Sequence, residues 1–306
     1  MRRSALLFCA ALSLTVLAAP SLAAQHDDHA AHGAAASPAG AGVPRVAADS
    51  TFPAGAADAA ARLSASPRHG EWVMIPGGAP GDSVRAWIVY PERSTKAPVV
   101  VVIHEIFGVS TWIRAVTDQL AADGFIAIAP DLLSGKQLPG DPSALEPDSA
   151  TVAATVAAIR TLNPADVQRR IEAVGRYGMA LPAATAHYGV VGFCWGGSMS
   201  FWHAVSSPSL GAAVVYYGGS PEPARLASVR APVLGLYGSD DARVNATVPP
   251  ADSAMKALGR TFEPHTFDGA GHGFLRQQDG RGGANLAATR QAWPLTVGWF
   301  RKHLGG

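Results

Sequence analysis

Apolar positions along this chain fall into short runs and longer stretches with helical spacing. Residues 71–76 and 84–90 partly alternate apolar and polar side chains around a glycine-rich turn, and they read as two antiparallel edge strands. Residues 98–103 (PVVVVI) form a continuous β-branched run, the mark of a central strand buried on both faces. A helix is expected over 110–123, with Trp112, Val116 and Leu120 on one stripe, and a buried strand over 125–129. A loop rich in Pro, Gly and Asp covers 133–148. Helices then follow near 149–161 and 164–179, the second started by Asn163 and Pro164. Further strands are expected at 187–192, 210–217, 232–238 and 261–267, and helices at 195–205, 249–259 and 285–303. Strands alternating with helices imply an α/β fold: a doubly wound, mostly parallel sheet flanked by helices and joined by right-handed crossovers. Such sheets bind ligands beyond the carboxyl ends of their strands, where Glu105, Cys194, Asp241 and His272 all fall.

The pattern does not extend to the start of the chain. Residues 1–24 read as a secretory signal peptide, with Arg2 and Arg3 ahead of an apolar stretch over 6–19 and small residues at the cleavage site. Residues 25–68, rich in Ala, Gly, Ser and Pro, read as a flexible leader, and 69–306 as one catalytic-sized domain. His26, His29 and His32 lie in that leader and read as a solvated tail, so no metal site is expected. Of the 24 basic residues, Arg2 and Arg3 leave with the signal, so 22 face 23 acidic ones. That balance excludes a nucleic-acid partner, and no membrane association is expected after cleavage. Cys9 leaves too, which makes Cys194 the only thiol of the mature chain and excludes an internal disulfide.

Cys194 stands in the densest motif of the chain, an apolar strand leading to Gly192-Phe193-Cys194-Trp195-Gly196-Gly197. This is the layout of the nucleophile elbow of α/β-hydrolases, with Cys in place of Ser. Side chains at Gly192 and Gly196 would collide with neighbouring backbone, and the helix that follows points its N-terminus at the sulfur, favouring thiolate. A cysteine nucleophile needs a base and the base an orienting acid. His272, on a tight loop between Gly271 and Gly273, is the natural base. The acid is Asp240 or Asp241. Val244 would anchor the loop three residues after Asp241, which favours Asp241. His104 is a candidate for lining the site because it precedes Glu105. Phe107, Trp112 and Trp195 would shape the pocket.

These motifs resemble those of the dienelactone hydrolase family (carboxymethylenebutenolidase-like). His104-Glu105-Ile106-Phe107-Gly108 is similar to its segment after a central strand. Gly192–Gly197, Asp241-Ala242-Arg243-Val244 and Gly271-His272-Gly273-Phe274 are similar to its elbow, acid loop and histidine loop, all in order. The resemblance implies a Cys194–His272–Asp241 triad acting on an ester or lactone. It implies that Glu105 pairs with the thiol at rest and is displaced by substrate. It also implies an oxyanion hole from the Ile106 and Trp195 amides, and Arg276 as a site for a substrate carboxylate. The family's second substrate arginine has no clear counterpart, Arg160 being merely available. No cofactor is implied. A thioesterase or acyl transferase on the same triad, or an exported binding protein with a hydrolase-like pocket, are the alternatives. Oligomeric state is left open.

Overall fold

The computed structural model describes residues 50–144 and 147–305. The signal segment 1–24, Cys9 and the histidines at 26, 29 and 32 lie outside the described residues. In chain order the strands are β1 (Gly70–Pro76), β2 (Ser83–Val89), β3 (Ala97–Ile103), β4 (Ile126–Pro130), β5 (Ala184–Phe193), β6 (Ala212–Tyr216), β7 (Val233–Asp240) and β8 (Phe262–Gly271). The helices are α1 (Ala59–Ser64), α2 (Thr111–Ala122), α3 (Ser149–Arg160), α4 (Pro164–Met179), α5 (Trp195–Ser206), α6 (Ala242–Asn245), α7 (Val248–Ala257) and α8 (Ala284–Leu304).

The strands form one 8-stranded sheet in the order β1-β2-β4-β3-β5-β6-β7-β8. β2 pairs antiparallel with β1 and β4, and every other pair is parallel. The all-apolar run in β3 takes its place inside the sheet, with each of its seven residues buried. The chain leaves β3 for β4 on one side and returns to β5 on the other, so the ends of β3 and β5 flank the point where strand order reverses. Ligands bind at such a point in open α/β sheets.

Helix starts follow local chemistry. The Ser110 hydroxyl accepts the Ile113 amide at the start of α2, and Asp148 accepts the Thr151 amide (2.7 Å) at the start of α3. Asn163 accepts the Ala165 amide (2.8 Å), with Pro164 opening α4. α8 covers β5 to β8, its Phe300 meeting Phe125 edge-on at 5.8 Å and its Thr296 hydroxyl bonded to Tyr216 (2.7 Å).

The leader expected over 25–68 ends sooner than its composition suggests. Phe52 and Ala59 are buried in the core, and α1 lies against α2. Arg68 grips the Asp118 carboxylate through Nε (3.1 Å) and Nη2 (2.7 Å), and Ser66 also donates to it (2.5 Å). Residues 50–56 are held in addition through backbone groups, which leave no periodic trace in a sequence of small residues.

Candidate active site

β5 ends and α5 begins at Cys194, whose backbone is left-handed at φ 55° and ψ −117°. A non-glycine residue there costs about 1–3 kcal/mol and persists only where its surroundings enforce it. Here they do. The Cys194 amide donates to the Tyr216 carbonyl (3.1 Å), and the Ser198 amide to the Cys194 carbonyl (3.1 Å). A Cβ on Gly192 would strike the Gly196 carbonyl, and one on Gly196 would strike the carbonyls of Ile103 and His104. The two glycines thus let α5 close down on the end of β3, leaving Cys194 with 7% of its surface exposed.

β7 and β8 end beside this turn. Asp241 caps α6, accepting the Val244 amide, and Val244 is buried as an anchor. The other carboxylate oxygen lies 2.6 Å from His272 Nδ1. Asp240, the alternative acid, is exposed and pairs with Arg281. Burial lowers the His272 pKa, but hydrogen bonds with Asp241 and with Cys194 outweigh it and carry the group up to about 10.

Glu105 and Ile106 follow β3, both buried. The Glu105 carboxylate faces Arg276, Nε to Oε2 at 3.4 Å, and the guanidinium lies over the Phe107 ring at 4.7 Å. Burial pushes Glu105 above the usual carboxylate range, against the pull of Arg276 and His272. The expected resting partner was the thiol. Instead the charge on Arg276 claims the carboxylate, and no hydrogen bond joins Glu105 to Cys194 among the described residues.

His104 does not line the pocket as its position beside Glu105 suggested. It is fully buried. The Leu132 amide donates to its Nε2 (3.3 Å), so the proton sits on Nδ1, which donates to the Glu105 carbonyl (2.7 Å). Burial holds the ring neutral by pushing its pKa down, and it stacks on Trp195 at 5.6 Å. His104 therefore ties the chain after β3 to the chain after β4 and to the first residue of α5. Trp112 is also buried. Its ring meets Phe193 edge-on at 5.1 Å and its Nε1 donates to the Ala54 carbonyl (3.1 Å). Arg160 is an exposed residue at the end of α3.

Sequence reasoning missed Tyr217. It follows β6 with φ 38°, is fully buried, and sets its ring 5.2 Å from that of His272. Burial first, then the charges of Glu105 and Cys194, push its phenol well above the ordinary range. The only signal available was the Gly218-Gly219 pair that follows, which allows a sharp departure from the strand.

A strained strand-to-helix turn at the reversal point of a doubly wound sheet, with an acid and a histidine after later strands, defines the α/β-hydrolase class. Within it, the profile of the dienelactone hydrolase family matches residues 84–304, and the chain belongs to that family. A Salmonella typhimurium protein bearing the provisional name carboxymethylenebutenolidase is 32% identical over 273 residues, which span 83% of this chain and 98% of the other. A Bradyrhizobium protein provisionally named a 2-oxo-3-(5-oxofuran-2-ylidene)propanoate lactonase is 28% identical over 249 residues, 77% of this chain and 95% of its own. Among solved structures, a Klebsiella pneumoniae protein provisionally named a dienelactone hydrolase aligns with a TM-score of 0.63 at 29% identity, over 76% of this chain and 99% of that one. The chain is accordingly a carboxylic ester hydrolase.

Proposed function

We propose that the chain is an exported hydrolase of esters or lactones that carry a carboxylate, working through a thioacyl-enzyme on Cys194. The observation that carries this reading is the placement of His272, its Nδ1 2.6 Å from the Asp241 carboxylate, with Asp241 and Cys194 both favouring its charged form. Its raised pKa keeps the imidazolium form at neutral pH, the form that can give a proton to a leaving oxygen.

In the first half-reaction the Cys194 sulfur attacks the carbonyl carbon, and the carbonyl π pair moves to oxygen. The amides of Ile106 and Trp195 hold that oxyanion; Trp195 is the first residue of α5, where an amide has no partner within the helix. The carbonyl re-forms, the C–O bond breaks, and His272 protonates the leaving oxygen. In the second half-reaction His272 takes a proton from water, the hydroxide adds to the thioester, and the C–S bond breaks to release the acid and the thiolate.

Arg276 supplies the site for the substrate's own carboxylate. That group would compete with Glu105 for the guanidinium, so binding frees the Glu105 carboxylate and changes the field at the sulfur. The Bradyrhizobium relative's named substrate, a propanoate lactone, combines these two groups. Export rests on the pattern of residues 1–24, and N-terminal sequencing of the secreted or periplasmic protein should begin at Ala24 or Gln25.

The test is mass spectrometry during turnover of a short aryl ester. Wild type should show an acyl adduct on the peptide containing Cys194, and Cys194→Ala should lose both adduct and turnover. Full hydrolysis by Cys194→Ala overturns the reading.

A further inference from the structure

We propose that residues 50–56, upstream of the part matched by the family profile, are a positioning segment for Arg276 and through it set the preference for carboxylate-bearing substrates. This rests on the role given to Arg276 above.

The Arg276 side chain has little to fix it. It is 30% exposed and meets one carboxylate and one ring face. An arginine side chain has many rotamers, so its reach depends on how firmly its backbone is held. That backbone is held at both ends. The Arg276 amide donates to the Gly273 carbonyl (2.9 Å), and its carbonyl accepts the Ala56 amide (2.8 Å). Two residues on, Gln278 Nε2 donates to the Pro53 carbonyl (2.8 Å). Gly55 permits the close approach: a Cβ there would stand 3.3 Å from the Arg276 carbonyl oxygen and 3.4 Å from Gln278 Cβ.

The segment is itself anchored on the other side. Phe52 is buried in the core, the Ala54 carbonyl accepts from Trp112, and the Ser50 carbonyl accepts from Gln119 (3.1 Å). Trp112 packs on Phe193, the residue before Cys194. One short stretch of backbone thus connects the loop carrying His272 and Arg276 with the support of the cysteine turn.

The experiment compares kcat/KM for p-nitrophenyl acetate with that for the anionic mono-p-nitrophenyl succinate. It uses wild type, Ala56→Pro, Arg276→Ala and the double variant. Proline at 56 deletes the N–H that holds the Arg276 carbonyl. Arg276→Ala should lower the anionic-to-neutral ratio, and Ala56→Pro should lower it by about tenfold, the scale of a small misplacement of a binding group. In the double variant the two losses should not multiply. Circular dichroism checks folding. Should Ala56→Pro fail to fold, Gln278→Ala loosens the same grip and carries the same expectation. Equal loss on both esters, no loss, or losses that multiply overturn the inference while Arg276→Ala still lowers the ratio. An unchanged ratio in Arg276→Ala overturns the carboxylate site itself, and this inference with it.

Discussion

His104 shows how much of a site depends on a side chain that touches no substrate. It satisfies the Leu132 amide and the Glu105 carbonyl with one neutral ring and stacks on the residue whose amide is proposed to hold the oxyanion. His104→Ala leaves the interior Leu132 amide unpaired, at about 1–3 kcal/mol, and takes from the Glu105 carbonyl the shorter of its two hydrogen bonds, the other coming from the Gly108 amide (3.4 Å). Stability should fall accordingly in thermal unfolding. kcat should drop by about tenfold or more with KM little changed, because misplaced oxyanion donors act on the transition state. His104→Gln, which can still donate and accept, should recover part of both. His272 offers a second test. A histidine whose folded pKa is raised stabilises the fold fully below its unfolded pKa, here 6.5, and loses that contribution as pH climbs to about 10. The melting temperature should therefore decline across that window, and less steeply in Asp241→Asn. A flat wild-type profile contradicts the pairing. At this scale the sequence placed Cys194, Asp241 and His272 at strand ends because glycines and a buried valine mark those turns. It could not place His104, because successive residues past a strand end diverge, nor find Arg276 as the charge that claims Glu105, because that contact exists only after folding.

Among the elements, α4 carries the polar tie of the fold. At its start Arg169 and Arg170 converge on Asp82 in the β1–β2 turn, and Arg169 also reaches the Gly77 carbonyl. Arg170 continues to the carbonyls of Leu132 and Ser134 (2.9 and 3.1 Å), beside the chain that His104 holds. Further along, Glu172 accepts from Tyr188 (2.7 Å) and from Ser207 of the chain after α5 (2.5 Å). Arg170 and Arg169 bring Asp82 down to about 2. Burial raises Glu172, but its hydrogen bonds from Ser207 and Tyr188 bring it too to about 2. Carboxylates depressed by folding stabilise the fold above their unfolded pKa values, 3.8 and 4.5, and lose that contribution as the pH falls to about 2. Thermal melts between pH 5 and pH 2 should show this loss, and Glu172→Gln should flatten part of it. An unchanged slope in that variant would remove Glu172 from the tie. The element boundaries were legible in hydrophobic period and caps: α4 runs from Pro164 to Met179 as its spacing required. The tie was not, since no local pattern links Asp82 in a turn with Arg170 in a helix 88 positions later.

For the molecule as a whole, the continuous apolar run of β3 against the partly alternating runs of β1 and β2 was enough to order a parallel interior and an antiparallel edge. Contacts made by the backbone of residues 50–56 were invisible to that reading, and so the leader was drawn too long. One of them has a temporal consequence. The Gln278–Pro53 bond closes a span of 225 positions. Closure entropy grows with the length of chain enclosed, and distant pairings form late. A growing polypeptide therefore has no finished seat for Arg276 until residue 278 has left the ribosome and met Pro53.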